Sequence, residues 1–177
     1  MSNWNKVFKP IVVLVIICIV VTGALAATNQ VTAPIIAEAT RVAEEKARTE
    51  LLPEADGFEE ITGVDVDNVS AIYQSTNDVG VVITSSAKGY GGDVVVMTAI
   101  NPDGTIKQIK VTEQAETKGI GSKVAGTPSY WENYVGLDAS KPLVLNQDVD
   151  AVTSATISST ALINAVNSAI EAYNAIP

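Results

Sequence analysis

Seventeen consecutive residues, Ile11 to Ala27 (IVVLVIICIVVTGALAA), carry no charge, and this run constrains the chain more than any other feature. With Pro10 it makes a helix of about 27 Å at 1.5 Å per residue, against a hydrocarbon core of roughly 30 Å. The segment is long enough to span a bilayer. Ala24-Leu25-Ala26 has the small-x-small form of a signal-peptide cleavage site, but cleaved apolar cores run to about 7 to 15 residues, so the length favours a retained anchor. Cys18 follows bulky Ile17, where a lipobox needs a small residue, and reads as an apolar, lipid-facing side chain. Lys6 and Lys9 precede the span while Asn29 and Gln30 follow it, which places the N-terminus in the cytoplasm by the positive-inside rule. The expected organisation is a cytoplasmic N-terminus over 1–10, a transmembrane helix over 11–27, an amphipathic helix and linker over 28–57, and one domain over 58–177 on the extracytoplasmic side of the cell membrane.

Composition then removes whole classes of chemistry. The 177 residues include no histidine, so there is no Ser/His/Asp or Cys/His catalytic unit and no imidazole metal ligand. The single cysteine excludes an intrachain disulfide, a CxxC pair and a cysteine-ligated cluster built by this chain alone. Redox work would therefore need a borrowed cofactor. From Thr28 onward nine basic residues face twenty acidic ones, a balance that repels nucleic acid and anionic headgroups, and no nucleic-acid partner is expected.

Beyond the span, Thr32-Ala33-Pro34 reads as the capped start of an amphipathic helix. Ile35, Ile36, Ala39, Val42, Ala43, Ala47, Leu51 and Leu52 would form its apolar face, and Pro53 to Gly57 would break it. β-Branched runs at Ser70–Gln74, Val79–Thr84 and Asp93–Ile100 predict strands. Asn101-Pro102-Asp103-Gly104 predicts a turn into a further strand over Thr105–Thr112. Gly119–Asn133 reads as turns carrying the aromatics Tyr130 and Trp131, and Pro142–Leu145 as a short strand. Ser158–Ala175 reads as a terminal helix with Leu162, Ala165, Val166, Ala169, Ile170 and Tyr173 on one face. The fold class is α+β: an N-terminal transmembrane helix, then an antiparallel, meander-like sheet packed with helices.

Three polar, glycine-rich segments are the candidates for chemistry. Lys88-Gly89-Tyr90-Gly91-Gly92 lies between two predicted strands, and its glycines permit close approach of another group. Glu116-Thr117-Lys118-Gly119-Ile120-Gly121 is neither a Walker loop nor a dinucleotide fingerprint, since it lacks the Gly-Lys-Ser/Thr ending and the third glycine of GxGxxG. Asp150-Ala151-Val152-Thr153-Ser154-Ala155-Thr156 directly precedes the terminal helix. The hydroxyl residues from Thr153 through Ser158, Ser159 and Thr160 read first as helix caps. The same position is also an address for a phosphate, which free N–H groups and the helix dipole would favour.

Taken in order, the membrane helix, Lys88–Gly92, the turn at Asn101–Gly104, Glu116–Gly121 and Asp150–Thr156 resemble the covalently flavinylated FMN-binding domain. That domain occurs in the G subunit of the Rnf electron-transport complex and the C subunit of the sodium-pumping NADH:quinone oxidoreductase. The family's segments are a KGYGG-like loop, an ETPGLG-like loop and a DxxTGAT-like motif, and the resemblance covers nearly the whole chain. Its length is closer to that of the Rnf protein. The resemblance implies covalent FMN, joined through its phosphate to the hydroxyl of Thr156 by a separate flavin transferase that reads Asp150 and Thr153. It also implies a ring packed against Tyr90 and Glu116–Gly121. The cofactor-binding set it implies is Thr156, Asp150, Thr153, Ser154, Ala155, Lys88, Gly89, Tyr90, Gly91, Gly92, Glu116, Thr117, Gly119 and Gly121. Ser154 stands where the family has glycine, Lys118 where it has proline, Ile120 where it has leucine, and Gln114 where many relatives have histidine.

The implied function is electron relay by a membrane-anchored component of an ion-translocating Rnf-type ferredoxin:NAD+ oxidoreductase, with no substrate turnover of its own. Its partners would be the lipid bilayer and the complex's other membrane and peripheral subunits. Two readings compete: a stand-alone extracellular flavinylated reductase, and a pilin-like assembly protein. The latter lacks the glutamate that a pilin carries in its apolar segment and a processing site before it.

Overall fold

The computed structural model describes residues 8–176. Lys6 and most of the expected cytoplasmic N-terminus lie outside the described residues. The chain divides into two compact units, residues 1–43 and 44–177.

In the first unit the described residues from Lys9 onward form one helix. The element, α1, runs Lys9–Leu51 and continues into the second unit. Its apolar side chains are exposed from Ile11 to Leu25 and again at Val31, Ile35, Ile36 and Val42, and it is long and apolar enough to cross a membrane. The helix start expected at Thr32 does not occur. The Thr32 hydroxyl donates to the carbonyl of Thr28 at 3.1 Å, and that of Thr28 to Ala24 at 2.9 Å. Both hydroxyls are thus satisfied inside a continuing helix rather than at its cap. Pro34 is accommodated within the helix, at the cost of one backbone donor. The apolar face expected over Ile35–Leu52 is buried only at its end, at Ala47, Leu51 and Leu52.

The second unit is built on five antiparallel strands in meander order. They are β1 (Phe58–Glu60), β2 (Val69–Ser75), β3 (Val81–Lys88), β4 (Asp93–Ile100) and β5 (Ile106–Glu113). Period-two alternation divides their side chains between two cores. Ile83, Val94, Val96, Ile100, Ile106 and Ile109 meet Leu162, Val166 and Ile170 of the terminal helix α4 (Thr156–Asn174). Val82, Met97 and Ala99 face the other way, against Ala47, Leu51 and Leu52. The sheet is therefore covered on both faces at its centre, which is why β3 and β4 read as nearly continuous apolar runs. Lys107 and Lys110 on β5 pair with Glu54 and Glu50. The guanidinium of buried Arg48 lies 4.0 Å over the Tyr73 ring, a cation–π contact that lets the last turns of α1 carry a charge against the sheet.

Between β5 and α4 the chain departs from expectation. Gly119–Asn133 contains two one-turn helices, α2 (Ser122–Ala125) and α3 (Pro128–Trp131), followed by a 3-10 turn over Glu132–Tyr134. Pro128 sits at a helix N-terminus, where its missing N–H costs nothing. Pro142–Leu145 is not a sheet strand. Leu143 N–H donates to Asn167 Oδ1 at 2.7 Å, and Asn167 Nδ2 donates back to the Leu143 carbonyl at 2.9 Å. A side-chain amide from α4 thus does what a neighbouring strand would do.

The two cores predict contrasting substitutions. Leu52→Ala, at a fully buried site, should lower the domain's unfolding free energy by about 2–5 kcal/mol. Ile35→Ala, at a site 65% exposed, should leave it unchanged. Denaturant unfolding of the full chain in detergent, followed by tryptophan fluorescence, checks both.

Candidate functional site

The hairpin turn between β3 and β4 is the Lys88–Gly92 loop, with Lys88 opposite Asp93 and Gly89 N–H donating to the Gly92 carbonyl at 2.8 Å. The Glu116–Gly121 loop follows β5 and leads into α2. The Asp150–Thr156 segment leads into α4. The first two segments and the opening turn of the helix that follows the third meet around one side chain.

Glu116 is buried. Its Oε1 accepts the backbone N–H groups of Tyr90 at 2.8 Å and Gly91 at 3.1 Å. Its Oε2 accepts the hydroxyl of Ser158 in the first turn of α4, and its own N–H donates to Gln114 Oε1 at 2.7 Å. The glycines are fitted to this arrangement. A Cβ on Gly89 would stand 2.2 Å from Glu116 Oε1, and one on Gly121 would stand 2.2 Å from Oε2. At Gly91 a Cβ would stand 2.0 Å from the carbonyl oxygen of Ala115. Close backbone approach explains these glycines better than conformational freedom does.

A cleft of about 460 Å³ opens above the carboxylate, lined by Tyr90, Glu116, Thr117, Ile120, Gly121 and residues 154–158. Its size falls in the range of small-molecule and cofactor sites. Tyr90 is 73% exposed, and Ile120 and Ile157 also expose about half of their surface, so apolar groups stand at its rim, while Glu116, Ala155 and Ser158 are buried. Thr156 is the first residue of α4 and is exposed. The expected side-chain cap is absent. Ala155 is the N-cap, and no side chain bonds there. The first backbone bond of the helix is Ser159 N–H to the Ala155 carbonyl at 2.9 Å, while the Ser159 hydroxyl accepts Val152 N–H at 3.1 Å. Among the described residues nothing accepts from the N–H groups of Thr156, Ile157 and Ser158, and the Thr156 hydroxyl has no partner. Free N–H groups at the positive end of a 19-residue helix form an anion seat.

Of the residues expected from sequence, Tyr90, Glu116, Thr117, Gly121, Ser154, Ala155 and Thr156 line this cleft. Gly89, Gly91 and Gly92 shape the loop beside it, and Gly119 N–H donates to Ser122 Oγ at 2.9 Å. Lys88, Asp150 and Thr153 lie outside the lining with exposed side chains. The Asp150 carbonyl accepts the Tyr130 hydroxyl at 2.7 Å. Burial, chiefly, raises the Tyr130 phenol above its usual range, so it remains an O–H donor that holds the start of the segment. Ser158, Ile157 and Tyr130 were not legible as site residues. The available signal was two serines, Ser158 and Ser159, on the apolar face of α4 one turn before Leu162.

Ser154, at the motif's glycine position, has φ 69°. That is left-handed backbone, which glycine adopts freely and serine does not. Ser154→Gly should therefore raise the unfolding free energy by about 1 kcal/mol. Gly91→Ala should lower it by about 1–3 kcal/mol, because backbone rather than a flexible side chain must move. Paired denaturant titrations of the full chain read both signs.

The FMN-binding domain family matches residues 89–171, and the RnfG N-terminal region matches residues 1–51. The chain is 33% identical over 196 aligned positions to the G subunit of the Na(+)-translocating ferredoxin:NAD(+) oxidoreductase complex of Acetobacterium woodii, covering 97% of this chain and 93% of that protein. It is 33% identical over 186 positions to the G subunit of the ion-translocating oxidoreductase complex of Methanosarcina acetivorans, covering 99% and 98%. Among solved structures it is similar to NqrC of Shewanella oneidensis, with a TM-score of 0.47 and 24% identity over 65% of this chain and 63% of that one. With the membrane-length helix, the cleft and these full-length relatives together, the chain belongs to the G-subunit family of ion-translocating, Rnf-type oxidoreductase complexes, and it carries that family's FMN-binding domain.

Proposed function

We propose that this protein is a membrane-anchored electron carrier of an Rnf-type ferredoxin:NAD+ oxidoreductase complex, holding FMN by a phosphoester to Thr156. The observation that carries the proposal is the placement of Thr156. Thr156 lines the cleft and is exposed, as the first residue of a helix whose leading N–H groups have no acceptor. A phosphodiester there keeps one negative charge, which the helix end stabilises without a basic side chain in the lining.

The residues fit the group in kind. Tyr90, Ile120 and Ile157 offer apolar surface to a flat ring, and the N–H groups of residues 156–158 offer donors to its phosphate. When bound, the flavin supplies the one- and two-electron chemistry that no side chain of the domain has. Attachment forms a bond between Thr156 Oγ1 and phosphorus. It breaks the phosphoanhydride of a flavin dinucleotide donor, releases the nucleoside monophosphate and gives up the hydroxyl proton. A threonine hydroxyl needs an activating base for this. The chain has no histidine, and the cleft's one carboxylate is already bonded to two backbone N–H groups and a serine. A separate flavin transferase is therefore part of the proposal.

Anchoring follows from α1. Lys6 and Lys9 before the span favour a cytoplasmic N-terminus and an extracytoplasmic flavin domain. The span itself, Ile11–Ala27, holds no ionisable group other than Cys18. It offers no relay for a cation, so ion movement is assigned to partner subunits.

Co-expression with a flavin transferase should give a fluorescent band on a denaturing gel and copurification with other membrane subunits in detergent. Thr156→Val should abolish the fluorescence and Thr156→Ser should keep it. Fluorescence that survives Thr156→Val sinks the attachment site, and a flavinylated protein that purifies without partners favours the stand-alone reductase.

A further inference from the structure

The reading of Thr156 as acceptor leaves open what holds that residue in place, and the geometry points to Glu116. We infer that Glu116 is the positioning residue for flavin loading: a clamp that fixes the acceptor end of α4 against the Tyr90 loop, rather than a ligand of the flavin. This inference rests on the proposed attachment at Thr156.

Three facts carry it. First, the carboxylate's bonds are made to the protein, through Oε1 to the N–H groups of Tyr90 and Gly91 and through Oε2 to the Ser158 hydroxyl. Each oxygen thus holds a different wall of the cleft. Second, Ser158 is two residues after Thr156, within the same helical turn, so fixing its hydroxyl holds the turn from which Thr156 projects. Third, the clamp is separate from the core. α4 packs on the sheet through Leu162, Ala165, Val166, Ala169 and Ile170, so losing the clamp should loosen the site before it unfolds the domain. Gly89 and Gly121 add to the case, because each leaves room for one of the two carboxylate oxygens.

Hydrogen bonding rather than charge is the working element. Glutamine has the same length. Its Oε1 accepts the two N–H groups and its Nε2 donates to Ser158 Oγ, which accepts as readily as it donates. Glu116→Gln should therefore restore what Glu116→Ala removes, a rescue that a role for negative charge at the flavin would not show.

The test measures the initial rate of covalent flavin incorporation per mole of folded full-length protein in detergent, with purified flavin transferase and flavin dinucleotide. Relative to the unaltered chain, Glu116→Ala should load on the order of 100-fold more slowly, the size expected for a misplaced reacting group. Ser158→Ala should be slower by about 10-fold, the loss of one hydrogen bond, and Glu116→Gln should stay within about 3-fold. Loading of Glu116→Ala at the unaltered rate overturns the inference, as does a Glu116→Gln variant as slow as the alanine. Should Glu116→Ala not fold, Ser158→Ala decides: an unchanged rate overturns the clamp. Amide hydrogen exchange at Tyr90 and Gly91 reads the clamp without any flavin. Protection in the unaltered chain that Glu116→Ala loses and Glu116→Gln keeps supports it, and equal protection in all three overturns it. If the unaltered chain does not load at Thr156, the attachment reading fails, and the exchange result still judges the clamp.

Discussion

A single buried carboxylate, Glu116, joins the three segments from which the cleft is made. Those segments are far apart in sequence: the Tyr90 loop is a hairpin turn, Glu116 follows the last strand, and Ser158 belongs to the terminal helix. Meander order puts the β3–β4 turn and the end of β5 at the same end of the sheet, so the topology brings the first two together. Burial of a carboxylate is costly unless its oxygens are bonded. Here the bonds go to two backbone N–H groups and one hydroxyl, and the partners are the walls of the site.

That arrangement places demands on the surrounding residues. Gly89 and Gly121 must lack a Cβ because the carboxylate oxygens occupy its space, and Gly91 must lack one because the Ala115 carbonyl does. The helix beyond Ser158 must be anchored independently, which its apolar face does against β3 and β4. The N-cap is the notable concession. Ala155 provides no side-chain acceptor, and a capping serine or threonine there would stabilise the helix by about 1 kcal/mol. Its absence leaves the leading N–H groups without an acceptor, a loss of local stability of the kind expected at functional sites.

Much of this was legible in the residues. β-Branched runs located β2 to β5, and the Asn101–Gly104 turn fixed the β4–β5 hairpin, because period and turn chemistry are local signals. The apolar face of α4 was readable from Leu162 to Ile170 for the same reason. What failed was non-local. The hydroxyls of Thr32 and Ser159 looked like caps, yet the first is satisfied one turn back in an unbroken helix and the second by Val152 N–H. Pro142–Leu145 looked like a strand because the amide of Asn167 that substitutes for a strand partner lies on another element. Glu116 was visible as a motif residue, but only the packed structure shows that it faces Ser158 and the Tyr90 loop.

The central proposal is chemical: that the domain's flavin is bonded to one hydroxyl, on the first residue of α4. Tandem mass spectrometry of the peptide spanning Asp150 to Thr160, taken from protein purified from its native membrane, tests this most directly. The account predicts a fragment series in which the flavin phosphate mass appears at Thr156, with Thr153, Ser154, Ser158, Ser159 and Thr160 unmodified. The same mass on another of these hydroxyls, or an unmodified peptide from flavin-containing protein, would contradict it.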